Sequence, residues 1–273
     1  MRTIEGSKGD IVVHQWAPVG EPEYVVLLAH GYAEHALRHA GLAEKFEADG
    51  AVVYAPDHRG HGRSGGEPAL VDEAQPLIDD FAKVYDLARE EHPGLPIVLV
   101  GHSMGGLLAT LFVQEGERPV DAVVLSSPLL GGNPALVALL DLDEIPDIPI
   151  DPMVISRDEN EQQAYLDDPM IYHGPFRRET LEGLVAGLDR ARSGGGFGDL
   201  PVLWIHGEGD MLVPYDLTAE TMEILSGPGT QAKSYPEARH ELFHEINREE
   251  VYKDVFDFID QNTPEAAAST DGR

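Results

Sequence analysis

A serine between two glycines stands at an abrupt change of pattern in this chain. The segment Gly101-His102-Ser103-Met104-Gly105 follows the apolar run 96–100 and precedes a helical pattern over 106–113. Small residues beside Ser103 allow a strand to turn sharply into a helix, because larger side chains would collide with the turn. Such a turn raises the serine hydroxyl above the end of a sheet. The pattern predicts a nucleophile elbow, with a purely structural glycine-rich turn as the alternative.

A carboxylate follows a second strand pattern further along the chain. Residues 201–207 predict a buried strand, and Asp210 comes just after its end. Functional groups of open parallel sheets collect at the carboxyl ends of strands. We interpret Asp210 as the acid that follows an elbow serine in chain order. Glu208 is the competing carboxylate, and an Asx turn before the helix that Pro214 opens is the structural alternative for Asp210.

A histidine completes the order Ser, Asp, His. Residues 231–235 predict a short last strand, and His240 lies in the loop after it. From there the imidazole can reach back over Ser103, take the hydroxyl proton and return it to a leaving alcohol, while Asp210 holds the tautomer. The three residues together predict acyl transfer through a covalent intermediate on Ser103. A ligand-binding protein on a hydrolase scaffold is a weaker alternative, because binding alone requires no triad.

The same histidine belongs to a competing motif. His240-Glu241-Leu242-Phe243-His244 matches H-E-x-x-H, in which Glu241 would be the base of a zinc hydrolase. That motif needs a continuous helix and a third ligand, for which only the nearby Glu245 and Glu249 are candidates. We therefore expect no metal and no cofactor, and interpret His244 as a structural histidine on a helix that begins near Glu241. His58 and His61 lie in a polar glycine-rich loop that is expected to brace the site through hydrogen bonds, with metal binding as the alternative.

Several motifs together resemble the monoacylglycerol lipase and lysophospholipase-like branch of the α/β-hydrolases. The resemblance extends roughly from Val12 to Ile259. It is carried by the elbow and by these segments: His30-Gly31-Tyr32-Ala33-Glu34-His35 with Arg38, Asp57-His58-Arg59-Gly60-His61-Gly62-Arg63-Ser64, Ser126-Ser127-Pro128, Ser156-Arg157-Asp158, Tyr165 and Asp168-Pro169. It implies a mostly parallel sheet flanked by helices, with a helical cap inserted. It also implies a serine esterase that cleaves monoacylglycerols, with a broader carboxylesterase or lysophospholipase as the alternative.

Further site residues follow from this resemblance. The backbone amides of Tyr32 and Met104 are expected to hold the oxyanion, which agrees with the general mechanics of an elbow. Glu34, Arg38 and Tyr165 match positions that shape the polar, glycerol-facing end of the family's site. A helix-entry ion pair is an equal alternative for Glu34 and Arg38. His102, beside the nucleophile, either contacts a leaving group or packs structurally.

The domain organisation follows from the same interpretation. We predict a first part of the hydrolase core over 1–128, a cap over 129–198, a second part of the core over 199–262 and a disordered tail over 263–273. The glycine-rich stretch 193–196 marks the return from the cap and is a candidate hinge. The cap segment before Ser156 is shorter than in the mammalian members, so the resemblance does not extend to acyl-chain preference.

The charge balance is strongly acidic. Asp and Glu number 49 against 19 Lys and Arg, which gives a formal net charge of −30. Such a charge repels nucleic acid and anionic membranes. The expected partner is a small lipid or ester, with at most transient contact between the cap and a lipid surface. The chain has no cysteine, and residues 1–7 lack the apolar core of a signal peptide, so a cytoplasmic protein is expected.

The acid-rich surface is also a hypothesis about stability. Mutual repulsion of the carboxylates destabilises the compact state, and salt screens it. If the surface is adapted to high salt, the midpoint of thermal unfolding should rise as NaCl is increased. If the midpoint of thermal unfolding does not change with NaCl concentration, the surface is acidic without being adapted to high salt.

Overall fold

The computed structural model describes residues 1–263, which are built around an eight-stranded sheet. Its strands are β1 (Arg2–Gly6), β2 (Gly9–Trp16), β3 (Tyr24–Ala29), β4 (Ala51–Pro56), β5 (Ile97–His102), β6 (Ala122–Ser126), β7 (Val202–Gly207) and β8 (Thr230–Tyr235). Their spatial order is β1-β2-β4-β3-β5-β6-β7-β8, and all pairs from β4 to β8 are parallel. The tail predicted over 263–273 lies outside the described residues except for Thr263.

Helices cover both faces of the sheet. They are α1 (Ala40–Ala48), α2 (Gln75–Glu91), α3 (Met104–Glu115), α4 (Pro134–Val137), α5 (Glu159–Asp167), α6 (Arg178–Ser193), α7 (Tyr215–Leu225) and α8 (Arg248–Asn262). One apolar cluster packs α2 and α3 against the sheet, and a second packs α1 and α8 against the other face. Because both faces are covered, the central strands are continuous apolar runs rather than alternating ones. This is the predicted layered α/β arrangement.

The antiparallel hairpin of β1 and β2 was not predicted from the sequence. It pairs with β4 and closes one edge of the sheet. The segment between β6 and β7 holds α4, α5, α6 and two short 3-10 helices, so the region predicted as a cap is largely helical. Within residues 1–263, none of the helices combines the length and apolar character needed to cross a bilayer.

The turn between β5 and α3 is as tight as the glycines suggested. A Cβ atom built on Gly105 would lie 2.0 Å from the carbonyl oxygen of Ala29 and 2.7 Å from that of His30. Both obstacles are backbone atoms, one of them in the strand beside β5, so neither can rotate away. Glycine at this position lets α3 begin directly against the sheet.

Gly105→Ala is therefore expected to destabilise the protein. Overpacking against fixed atoms costs about 1–3 kcal/mol and occasionally more. The measurement is the urea concentration at the unfolding midpoint. Gly41→Ala is the matched control, because Gly41 is exposed in α1 and a Cβ there meets nothing within 4 Å. We expect the control to gain about 0.5–1 kcal/mol from helix propensity; equal midpoints for the two variants would contradict the packing argument.

Candidate active site

Ser103, His240 and Asp210 meet at the carboxyl end of the parallel sheet. Ser103 occupies the β5–α3 turn with φ 54° and ψ −119°, a strained conformation for a residue with a side chain. Its Oγ lies 2.9 Å from Nε2 of His240, and Nδ1 of His240 lies 2.7 Å from Oδ2 of Asp210. All three side chains are buried. The structure thus brings together the three residues that the sequence predicted as a triad.

The hydrogen bonds fix the direction in which a proton can move. A carboxylate only accepts, so Nδ1 of His240 donates to Asp210 and carries the imidazole proton. Nε2 is then the free acceptor, and the Ser103 hydroxyl donates to it. This is the tautomer in which His240 can withdraw a proton from Ser103.

Asp210 is held by more donors than His240 alone. Its Oδ1 accepts the backbone N–H groups of Leu212 at 2.9 Å and Val213 at 2.8 Å. Burial alone would raise the pKa of Asp210, but the charge of His240 and the hydrogen bonds from His206 and His240 lower it below its ordinary value. The carboxylate is therefore ionised whenever the site is in use.

His206 supplies the further donor, and sequence analysis did not identify it. The indole N–H of Trp204 donates to Nδ1 of His206 at 3.1 Å. Nδ1 is thus an acceptor, so the proton is on Nε2, which lies 2.8 Å from the Val213 carbonyl and 3.3 Å from Oδ2 of Asp210. Trp204 and His206 stand two residues apart on β7, which places both on one face. That spacing before Asp210 is the signal that could have indicated the contact.

Electrostatics set the basicity of His240. Burial lowers the pKa of this imidazole, but the charge of Asp210 and its hydrogen bond outweigh burial and raise the pKa above the ordinary 6.5. His240 must be neutral to accept the Ser103 proton. The reactivity of Ser103 is therefore expected to rise with pH, with a midpoint above 6.5.

The rate at which a fluorophosphonate labels Ser103, measured from pH 5 to pH 9, tests this expectation. A midpoint at or below 6.5 would contradict the assigned balance between burial and the Asp210 charge.

The two backbone amides predicted to hold an oxyanion belong to residues near Ser103. Met104 is the first residue of α3, so its N–H has no acceptor inside the helix. The loop that carries Tyr32 passes beside the serine, since a Cβ on Gly31 would lie 3.2 Å from Cβ of Ser103. Both are the amides that sequence analysis predicted, and their role stays a prediction.

A buried ionic cluster forms the polar side of the site. Oε1 of Glu34 accepts the N–H of Gly31 at 2.5 Å and lies 3.1 Å from His39 Nε2. Arg38 lies between Glu34, at 3.4 Å, and Glu241, and its guanidinium packs over the Tyr165 ring at 5.3 Å. Burial would raise the pKa of Glu34, but His39 and its other neighbours lower it well below the usual range.

The ion pair that was the structural alternative for Glu34 and Arg38 is present. Glu34, Tyr165 and Glu241 also line the cavity at Ser103, whereas Arg38 pairs with the two carboxylates and is not among the lining residues. That these residues face glycerol stays a prediction. His102 also lines this cavity, its ring 4.8 Å from that of His240. Burial and the nearby His240 lower the pKa of His102 well below 6.5, so it is a neutral wall of the site.

The remainder of the cavity is apolar. Side chains from the segment between β6 and β7 supply most of it: Leu129, Leu136, Ile150, Ile155, Phe176, Leu181 and Leu184. Phe176 stacks on Tyr32 with ring centroids 5.3 Å apart. These lining residues were not predicted from the sequence, because their meeting depends on how the helices and loops between β6 and β7 fold over Ser103.

The H-E-x-x-H segment does not form the helix that a zinc site needs. Leu242–His244 is a short 3-10 helix, and the next α-helix begins at Arg248, not near Glu241 as predicted. Both ring nitrogens of His240 already face Asp210 and Ser103, while Nδ1 of His244 contacts Glu161 at 3.1 Å. Among residues 1–263 no group of three or more His, Cys, Asp or Glu side chains is placed to hold a metal ion.

The loop of His58 and His61 is hydrogen-bonded to His30, which precedes Gly31 in the chain. The backbone N–H of His58 donates to Nε2 of His30 at 2.9 Å, and Nδ1 of His61 lies 2.9 Å from the Arg59 carbonyl. Burial lowers the pKa of His58 to about 3. The His58 ring packs against that of His30 with centroids 4.1 Å apart and a tilt of 39°, and the bracing role of this loop stays a prediction.

Comparison with known proteins gives consistent results. The family described as serine aminopeptidase, S33, matches residues 20–247. The chain is 36% identical over 266 residues to monoacylglycerol lipase of Mycolicibacterium smegmatis, covering 91% of this chain and 92% of that protein. It is 31% identical to monoglyceride lipase of Homo sapiens, covering 85% and 84%. A solved soluble variant of monoglyceride lipase from Saccharomyces cerevisiae, in complex with a substrate analog, matches with a TM-score of 0.85 at 19% identity, covering 96% and 94%. That likeness confirms the α/β-hydrolase fold.

Proposed function

Since this chain belongs to the serine aminopeptidase S33 family of hydrolases, we propose that it is a serine esterase that cleaves monoacylglycerols into fatty acid and glycerol. One observation carries the proposal. Ser103, whose hydroxyl is hydrogen-bonded to His240, lines a cavity that has an apolar side and a polar side. A monoacylglycerol has the same division into hydrocarbon and hydroxyl groups. Relatives that are 36% and 31% identical over most of the chain are named for this substrate class.

The reaction follows from the proton positions. Ser103 Oγ attacks the ester carbonyl while His240 Nε2 takes its proton, and the negative charge on the carbonyl oxygen is held by the amides of Tyr32 and Met104. The imidazolium returns the proton to the departing glycerol oxygen. Water then gives a proton to His240 and attacks the acyl carbonyl. The bond from that carbonyl to Ser103 Oγ breaks, Ser103 takes the proton back from His240, and the fatty acid leaves. Asp210 stabilises the positive imidazole throughout.

The polar side would hold the glycerol. Glu34, Tyr165 and Glu241 present carboxylate oxygens and a phenol to the cavity, and Arg38 keeps the two carboxylates in place. Carboxylates accept hydrogen bonds from hydroxyl groups, so they suit an uncharged polyol. Glycerol hydroxyls bound here would direct the ester carbonyl towards Ser103.

A lysophospholipase is the second candidate, because the apolar side would accept its acyl chain equally well. The polar side argues against it. Two carboxylates accompany a single guanidinium there, so a phosphate group would meet like charge at close range in a buried site. An uncharged headgroup has no such cost.

The decisive test compares headgroups on one acyl chain. We would measure kcat/KM for 1-octanoylglycerol, ethyl octanoate and 1-octanoyl lysophosphatidic acid, each with and without a metal chelator. We expect hydrolysis that resists the chelator. Its kcat/KM should be highest for 1-octanoylglycerol and lowest for 1-octanoyl lysophosphatidic acid. Equal rates for the glycerol and ethyl esters would indicate a general carboxylesterase. If the acyl ester of the lysophosphatidic acid were hydrolysed fastest, the result would instead support a lysophospholipase.

A further inference from the structure

Two further apolar pockets adjoin the Ser103 cavity and share lining residues with it. The first, which we call the helix wing, is lined by Leu129, Val137, Leu181, Leu184, Val185 and Leu188. The second, which we call the loop wing, is lined by Leu139, Pro146, Ile148, Val154, Met211 and Leu212. Leu136 lines the central cavity and both wings. The cavity that holds the nucleophile therefore has an apolar pocket adjoining it in each of two directions.

A monoacylglycerol cannot fill this arrangement. Its single hydrocarbon chain leaves the ester carbonyl in one direction and can follow one wing, while the other wing stays in contact with water. Burying apolar surface favours any ligand that covers the second wing as well, by roughly fourfold in affinity for each methylene removed from water. The arrangement fits an ester with two hydrocarbon chains and one free hydroxyl, the last meeting Tyr165 and Glu241.

We propose that the protein also hydrolyses diacylglycerols, with the chain to be released in one wing and the retained chain in the other. This inference rests on the proposed esterase function. Ser103 Oγ forms an ester with the released acyl group, and the bond from that carbonyl to the glycerol oxygen breaks. The leaving monoacylglycerol takes its proton from His240. Water then cleaves the acyl-enzyme, so diacylglycerol and water yield fatty acid and monoacylglycerol.

A wild-type measurement tests the second wing directly. In 1-octanoyl-3-O-octylglycerol the retained chain is an ether that cannot be cleaved, and 1-octanoyl-3-O-methylglycerol is its matched short analogue. With both substrates below their critical micelle concentrations, we expect kcat/KM to be at least about tenfold higher for the octyl ether, since several additional methylenes are buried. An equal or lower value for the octyl ether would overturn the proposal.

Two variants assign the wings. Val185 lines only the helix wing and Leu139 only the loop wing, and both are half-buried, so tryptophan at either position narrows one wing. A diacylglycerol needs both wings, so kcat/KM for 1,2-dioctanoylglycerol should fall at least about tenfold in each variant. A monoacylglycerol needs one wing. The ratio of diacylglycerol to monoacylglycerol turnover should therefore fall in one variant, while both rates fall together in the other.

Matched controls come from the neighbouring positions. Ala186 and Ala138 are exposed and line neither wing, so Ala186→Trp and Ala138→Trp add the same bulk without narrowing a branch. Circular dichroism melts check that each variant is folded, and the two ethers still test the proposal on the wild type if one variant is not. Monoacylglycerol turnover without diacylglycerol turnover would overturn this inference alone. Absence of turnover on both would overturn the proposed function as well.

Discussion

Ser103→Ala is expected to lower kcat for monoacylglycerol hydrolysis by about 10⁴-fold or more, the scale seen when a triad nucleophile is removed. The variant loses the Oγ atom that would form the acyl-enzyme, while His240 and the backbone amides remain. Initial rates of fatty acid release from 1-octanoylglycerol measure the effect. The midpoint of thermal unfolding should change little. Alanine fits the space, and the side chain loses only its hydrogen bond to His240.

Ser234→Ala is the matched control for this variant. Ser234 donates to the Glu208 carboxylate at 2.7 Å and lies outside the cavity, so its removal also deletes one serine hydrogen bond. We expect the control to keep wild-type turnover. Chelator-sensitive turnover that survives in Ser103→Ala would restore the H-E-x-x-H interpretation of His240 and His244.

The core of this fold could be predicted because its signals are local. Parallel strands buried on both faces read as unbroken apolar runs, and β3, β4, β5 and β7 stand where such runs stand in the sequence. The elbow is recognisable since sterics demand small residues around Ser103. Chain order then assigned Asp210 and His240 without any knowledge of distances.

The edge hairpin and the cavity walls depend on distant partners instead. β1 alternates half-buried and exposed residues and is stabilised by pairing with β2, so its short segment carries a weak signal alone. The apolar wings form mainly from helices and loops between β6 and β7 whose docking is set by long-range contacts. One of these joins Arg157 to Glu245, 2.9 Å apart, and another joins His35 to Asp168, also 2.9 Å apart. Motif resemblance named Arg157 and Asp168 without indicating this anchoring.

Asp210→Asn is expected to lower kcat by about 10⁴-fold with the fold retained, the loss known for this change in a serine triad. The amide oxygen can take the place of Oδ1, which accepts the N–H groups of Leu212 and Val213. The amide nitrogen then stands where Oδ2 faced His240 and His206. It only donates, so His240 must turn its unprotonated nitrogen towards it and leave the proton on Nε2. That tautomer cannot accept the proton of Ser103.

The pH dependence of this variant provides a second readout. Asp210 holds the pKa of His240 above 6.5 against the opposing effect of burial. Without the carboxylate charge, burial prevails, and the midpoint of the residual activity should move to lower pH.

Acid unfolding provides a further readout, because Asp210→Asn removes a group whose pKa is depressed in the folded state. In the wild type, ionised Asp210 adds to the free energy of unfolding above its unfolded pKa, and this contribution is lost as the pH falls through its folded pKa. The acid unfolding curve of the variant should lack this contribution.

Glu208→Gln is the matched control, because Glu208 is the other carboxylate in the turn after β7. Its side chain is exposed and accepts from Ser234 rather than from His240. Glutamine there keeps an oxygen acceptor for Ser234, so we expect kcat and its pH midpoint to match the wild type. Suppose instead that Glu208→Gln is inactive and Asp210→Asn keeps a tenth of wild-type kcat. That result would assign the orientation of His240 to Glu208. The hydrogen-bonded order Ser103, His240, Asp210, His206 predicts the opposite result.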